Sequence, residues 1–70
     1  MAMNRLKSLK NWQQNWKREQ ARNVRLMNRY NRIKNEEMFW WYEGRTSAAR
    51  ETLQLLEFLI EMEELRNGNA

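Results

Sequence analysis

Apolar and polar positions recur along this chain with the period of an α-helix, in two blocks of different character. In the first block Leu6, Leu9, Trp16, Val24 and Met27 share one helical face, with Trp12 and Tyr30 at its border. Opposite them Arg18, Arg22, Arg25, Arg29 and Arg32 follow i, i+4, i+7, i+11, i+14 spacing. At 1.5 Å per residue these draw a straight cationic stripe about 21 Å long. Lys7, Asn11 and Gln14 extend the same face toward the N-terminus. In the second block Leu53, Leu55, Leu56, Phe58, Leu59, Ile60, Met62 and Leu65 spread over about 240° of a helical circumference, and Gln54, Glu57, Glu61 and Glu64 hold the rest.

The punctuation between the blocks is sparse. There is no proline, and glycine occurs only at positions 44 and 68. Nothing forces a break from about residue 4 to residue 42, about 58 Å of helix. Gly44 sits where a C′ glycine would end that helix, and Thr46 or Ser47 then offers a hydroxyl to cap the next. The pattern therefore predicts an all-α helical hairpin within one domain, 1–70. A long basic helix covers about 4–42, a turn falls at Gly44, a shorter acidic helix covers about 47–66, and residues 67–70 form a frayed tail. A second partition breaks the chain between Asn28 and Asn35. Three asparagines fall there within eight residues, and Asn35-Glu36-Glu37 has the composition of a helix start; this reading gives three helices. A strict heptad through Leu9, Trp12, Trp16, Glu19, Asn23, Leu26, Tyr30 and Ile33 is interrupted by Glu19 and Asn23. Local bundle packing is expected in place of a continuous coiled coil.

These lengths carry an expectation about assembly. A helix over 47–66 spans about 30 Å and, folded back from Gly44, reaches only to the level of Arg22. Leu6, Leu9, Trp12 and Trp16 are then uncovered, and the broad apolar arc of the second helix exceeds what one neighbour can bury. Seventy residues without a cysteine also make a marginal lone core. The economical solution is a two-fold homodimer forming a four-helix bundle. Leu6, Leu9, Trp12, Trp16, Leu55, Leu56, Leu59 and Met62 would be its core or dimer contacts, and the dimer would double the arginine stripe.

Charge sharpens the picture. Residues 1–35 hold ten Lys/Arg against Glu19 alone, a net +9, and residues 36–70 hold eight Glu against Arg45, Arg50 and Arg66, a net −5. Arginine is always ionised, and its planar fork clamps phosphate or carboxylate. No acid lies on the stripe's face before Glu36, so intrahelical i,i+4 pairing is not its purpose. Uncompensated like charges cost stability, and the face calls for a polyanionic counterpart.

The chemistry that can be excluded is broad. With no histidine, cysteine or aspartate, the chain lacks the usual zinc ligands and offers no nucleophile and base pair, glycine-rich phosphate loop or metal-spaced carboxylate cluster. No enzyme activity, cofactor or metal is expected. No run approaches the roughly 20 apolar residues of a membrane span, and the N-terminus lacks signal-peptide features, so an intracellular, cytoplasmic protein is expected.

The favoured function is a small nucleic-acid-binding dimer. Lys7, Asn11, Arg18, Arg22, Arg25, Arg29 and Arg32 would follow the phosphate backbone, with Trp40 of the Phe39-Trp40-Trp41-Tyr42 cluster as a stacking surface for a base or duplex end. Phosphate contacts position without specifying sequence, so little sequence specificity is expected. Long paired helices of this kind resemble, in architecture, small viral helical proteins that lie along duplex RNA, and double-stranded RNA is preferred over DNA. The alternative is a small phage or viral inhibitor that docks its basic helix on an acidic host protein, anchored by Trp12 and Trp16. An anionic membrane surface is disfavoured, because the arginines project away from the apolar face and a second helix is present to bury that face.

Overall fold

The computed structural model describes residues 5–68. Two helices pack antiparallel as a hairpin 51 Å long and 18 by 14 Å across: α1, Arg5–Arg32, of 28 residues, and α2, Glu36–Arg66, of 31 residues. The all-α hairpin is as expected from the periodicity. The expected turn at Gly44 and the boundaries 4–42 and 47–66 are not found, since the chain reverses at residues 33–35 and Gly44 lies inside α2. The expected helix start at Asn4 lies outside the described residues, as do positions 69 and 70 of the tail.

The turn is built from local hydrogen bonds. The Asn35 amide donates to the Tyr30 carbonyl at 2.9 Å and the Lys34 amide to the Asn31 carbonyl at 3.1 Å, the paired six-to-one and five-to-two bonds of a Schellman ending. Lys34 supplies the left-handed residue, with φ 58°. Asn35 then starts α2 at once: its Oδ1 accepts from the Met38 amide at 3.2 Å. Glu36 and Glu37 in the first turn of α2 and Arg29 and Arg32 in the last turn of α1 suit the helix dipoles. The asparagine cluster with its trailing glutamates thus marks the reversal. Gly44 is absorbed because one interior glycine costs only about 1 kcal/mol relative to alanine, well within what helix packing supplies.

At the other end of α2 the chain leaves the helix through two backbone hydrogen bonds. The Asn67 amide donates to the Glu63 carbonyl at 3.0 Å and the Gly68 amide to the Leu65 carbonyl at 3.1 Å, with Gly68 at φ 76°.

Each helix presents a seam of residues alternately three and four apart. In α1 it runs Leu6, Leu9, Gln13, Trp16, Gln20, Asn23, Met27, Tyr30, and in α2 Phe39, Tyr42, Thr46, Ala49, Leu53, Leu56, Ile60, Glu63. All are buried or half-buried except Trp16. This is the heptad spacing of a two-helix seam, in a register that replaces Trp12, Glu19, Leu26 and Ile33 of the expected heptad by Gln13, Gln20, Met27 and Leu6. Tyr30 and Tyr42 stack across the turn end, centroids 5.7 Å apart and planes 7° off parallel, while Lys10 Nζ meets Glu64 Oε2 at 3.6 Å near the open end. That register sets Asn23 level with Ala49, where the hairpin is tightest: Ala49 is 0% exposed, Asn23 3% and Thr46 4%. The Thr46 hydroxyl donates to the Tyr42 carbonyl at 2.8 Å.

The expected core and dimer residues separate into two groups. Leu56 is buried with Ala49 and Ile60, and Leu6 and Leu9 are half-buried. Trp12, Trp16, Leu55, Leu59 and Met62 are exposed on the hairpin. Because α1 and α2 are nearly equal in length, Leu6 and Leu9 have a partner helix within the same chain, and the length mismatch that argued for a second chain disappears.

Candidate nucleic-acid interface

The outer edge of α1 is the candidate interface. An α-helix that turns Leu9, Trp16, Asn23, Met27 and Tyr30 toward its neighbour must turn the residues half a revolution away outward. Arg18, Arg22, Arg25, Arg29 and Arg32 are accordingly all exposed, together with Lys7 and Asn11. Arg22, Arg25, Arg29 and Arg32 line a shallow open groove of about 610 Å³ with Leu26 and Asn28. The groove has a cationic rim, an apolar patch from Leu26 and an amide from Asn28.

The arginines of the stripe keep their charge uncompensated. Ion pairs join Lys10 with Glu64, Arg45 with Glu19 at 3.4 Å, and Arg66 with Glu63 at 3.9 Å; among the described residues Arg18, Arg22, Arg25, Arg29 and Arg32 take part in none. Glu19, the sole acid of α1, is drawn to the α2 side by Arg45, whose guanidinium also lies 5.9 Å from the Trp41 ring centroid. The glutamates of α2 therefore do not neutralise the stripe within the hairpin. Such a surface can bind oxyanions in a row, at roughly one contact per helical turn.

Trp40 is not part of this groove. The chain reverses before it, so it belongs to α2 and lines a pocket of about 200 Å³ at the turn with Tyr30, Asn31, Lys34, Asn35, Glu36 and Phe39. Its ring is exposed and packs edge-on to Phe39 at 5.1 Å between centroids. The expectation that it projects beside the arginines rested on an unbroken helix through residue 42. Two groups outside the expected set of contacts belong to the groove: Asn28, three residues after Arg25 and four before Arg32, and Leu26, at the edge between groove and seam. Their spacing from the arginines was the available signal.

A second surface lies to one side of the helix pair. Asn15, Trp16, Glu19 and Asn23 of α1 line an open groove of about 460 Å³ with Arg45 and Ala48 of α2, and toward the open end Arg5 and Leu9 share another, of about 470 Å³, with Leu59, Met62, Glu63, Leu65 and Arg66. Trp12, 59% exposed, follows Arg5 by seven residues and precedes Glu19 by seven, and Leu55, 57% exposed, precedes Met62 by seven, so helical spacing sets both on this side. Among the described residues no group of three or more potential metal ligands is gathered, and no helix is long and apolar enough to cross a membrane.

The structure thus defines a two-helix hairpin with one arginine edge and one apolar side. Compared with known proteins, the chain matches no family model, no curated sequence and no solved structure.

Proposed function

We propose that this chain is a small nucleic-acid-binding protein that acts as a homodimer, with the outer edge of α1 lying along the phosphate backbone of double-stranded RNA in preference to DNA. The observation that carries this reading is the row of exposed arginines, Arg18, Arg22, Arg25, Arg29 and Arg32, without an ion pair among the described residues. Repulsion along the row is a standing cost that phosphates remove. Lys7 and Asn11 continue the contact toward the N-terminus, and Trp40 stacks on a base beyond the Arg32 end. The contacts are to backbone, so binding follows duplex shape more than sequence. The dimer is a four-helix bundle closed through Trp12, Trp16, Leu55, Leu59 and Met62, which a single hairpin leaves exposed to water.

The test is a titration of labelled duplex RNA, duplex DNA and single strands at low and physiological salt. Affinity for duplex RNA should be highest and should fall steeply with salt. The Arg22→Gln/Arg25→Gln double variant should keep its helicity and oligomeric state and bind more weakly. Its log–log salt slope should be shallower by about two, since each neutralised phosphate adds about 0.9 to that slope. Unchanged binding by this variant would remove the stripe from the mechanism.

The exposure of Trp12 and Trp16 supports a second reading, in which α1 docks on an acidic protein surface with these rings as anchors. It separates cleanly from the first, since Trp12→Ala should abolish such docking and leave duplex binding by the arginines in place.

A further inference from the structure

The apolar side of the hairpin bears on how two copies stack, and through that on how many nucleic-acid segments a dimer holds. The Lys10–Glu64 pair sets the first turns of α1 beside the last turns of α2, so Trp12 and Trp16 stand level with Leu55, Leu59 and Met62. Nearer the turn the same side carries the Glu19–Arg45 pair and the Trp41 ring that Arg45 covers. Trp12 and Trp16 of α1 and Leu55, Leu59 and Met62 of α2 thus form the apolar group of the open end, apart from the exposed Ile33, Trp40 and Trp41 at the turn.

Two two-fold arrangements bring such sides together. With the axis along the hairpin, both turns lie at one end and α1 of each copy lies over α2 of the other. With the axis across the hairpin, the turns lie at opposite ends and α1 lies over α1. The charges discriminate between them. Residues 5–32 of α1 hold nine Lys/Arg against one Glu, a net +8, and residues 36–66 of α2 hold eight Glu against three Arg, a net −5. The first arrangement sets +8 against −5 at each contact between copies; the second sets +8 against +8. The first also puts Trp12 and Trp16 of each copy on Leu55, Leu59 and Met62 of the other.

The arginines point away from α2 within each hairpin, and α1 of the two copies occupies diagonal corners of the bundle in the first arrangement. We infer that the dimer takes this arrangement, carries its two arginine edges on opposite flanks, and so bridges two separate duplexes instead of offering one doubled stripe to a single duplex. The inference rests on the nucleic-acid reading of α1 and adds to it the geometry of the second copy.

Two measurements test it. The chain has no cysteine, so a spin label on Lys34→Cys reports the distance between the two turns. Labels within about 20 Å, two helix diameters, are expected; a separation near the 51 Å length of the hairpin, or no coupling at all, overturns the arrangement. In the second measurement an immobilised duplex RNA of about 20 base pairs, long enough to span the roughly 21 Å stripe at 1.5 Å per residue, is loaded with excess protein and washed, and a second, fluorescent duplex of different sequence is added. Retention of both the protein and the second duplex is expected, with the second duplex absent for the Leu59→Asp variant while the protein stays bound. Protein retained without the second duplex overturns bridging and leaves the binding role of α1 standing. No protein retained overturns that role and bridging with it.

Discussion

Lys34 adopts φ 58° at the C′ position of α1, a conformation that costs an L-residue about 1 kcal/mol and glycine almost nothing. Two backbone hydrogen bonds and the Asn35 cap hold it there. Gly44 shows the converse: it occupies the interior of α2, and a β-carbon added to it meets nothing within 4 Å. Each residue would be better served by the other's side chain. Gly44→Ala should raise the unfolding free energy by about 0.5–1 kcal/mol, read from denaturant midpoints, because alanine removes the entropy that glycine loses in a helix. If Gly44 instead made a turn, the same substitution would destabilise. Lys34→Gly should stabilise by up to about 1 kcal/mol in the same assay. At this scale the chain is partly misleading. Asn35-Glu36-Glu37 carries a legible start signal, but glycine is the stronger marker of a reversal, and no pattern announces that a lysine will accept a left-handed backbone.

Between the two helices the seam is unequal. From α2 it receives Leu53, Leu56 and Ile60, and from α1 it receives Gln13, Gln20 and Asn23 among its members. Packing is closest where the smallest side chain, Ala49, stands level with Asn23. Ala49→Leu should force the helices apart and cost about 1–3 kcal/mol, the usual penalty of overfilling a packed site, measured by urea unfolding. The same change at exposed Ala48 should cost little. The amphipathic period of both helices could be read directly, because it depends only on spacing. The division of the apolar arc of α2 could not. Leu56 and Leu55 are neighbours of the same type, yet one is buried and the other 57% exposed, and only the position of α1 decides between them. The polar members of the α1 seam concealed the register for the same reason, since Gln13 and Gln20 look like solvent positions until a partner helix is set against them.

In the whole molecule, charge and apolar surface are sorted onto different sides. The arginine edge was legible in full, because it needed nothing beyond an unbroken helix over residues 18–32. Trp40 was misplaced because its position depended on where the chain turned. The open half of the apolar side is where self-association is expected to be sensitive. Leu59→Asp should shift the sedimenting species from dimer to monomer mass and leave the affinity for a single free duplex RNA nearly unchanged, since edges on opposite flanks cannot both engage one duplex. Dimer mass retained by this variant would place the interface elsewhere.

The reversal at residues 33–35 also orders the events of folding. Its hydrogen bonds span no more than five residues, and the Tyr30–Tyr42 stack lies immediately beside it. Closing so short a loop costs little chain entropy, and each further seam pair then forms next to one already made. The hairpin should nucleate at residues 30–42 and zip toward Arg5 and Arg66. Groups at the turn then govern the rate of folding, and groups at the open end govern the rate of unfolding. The last segment to order is the one that bears Trp12, Leu59 and Met62, so a second copy docked there as proposed would slow unfolding and leave nucleation untouched.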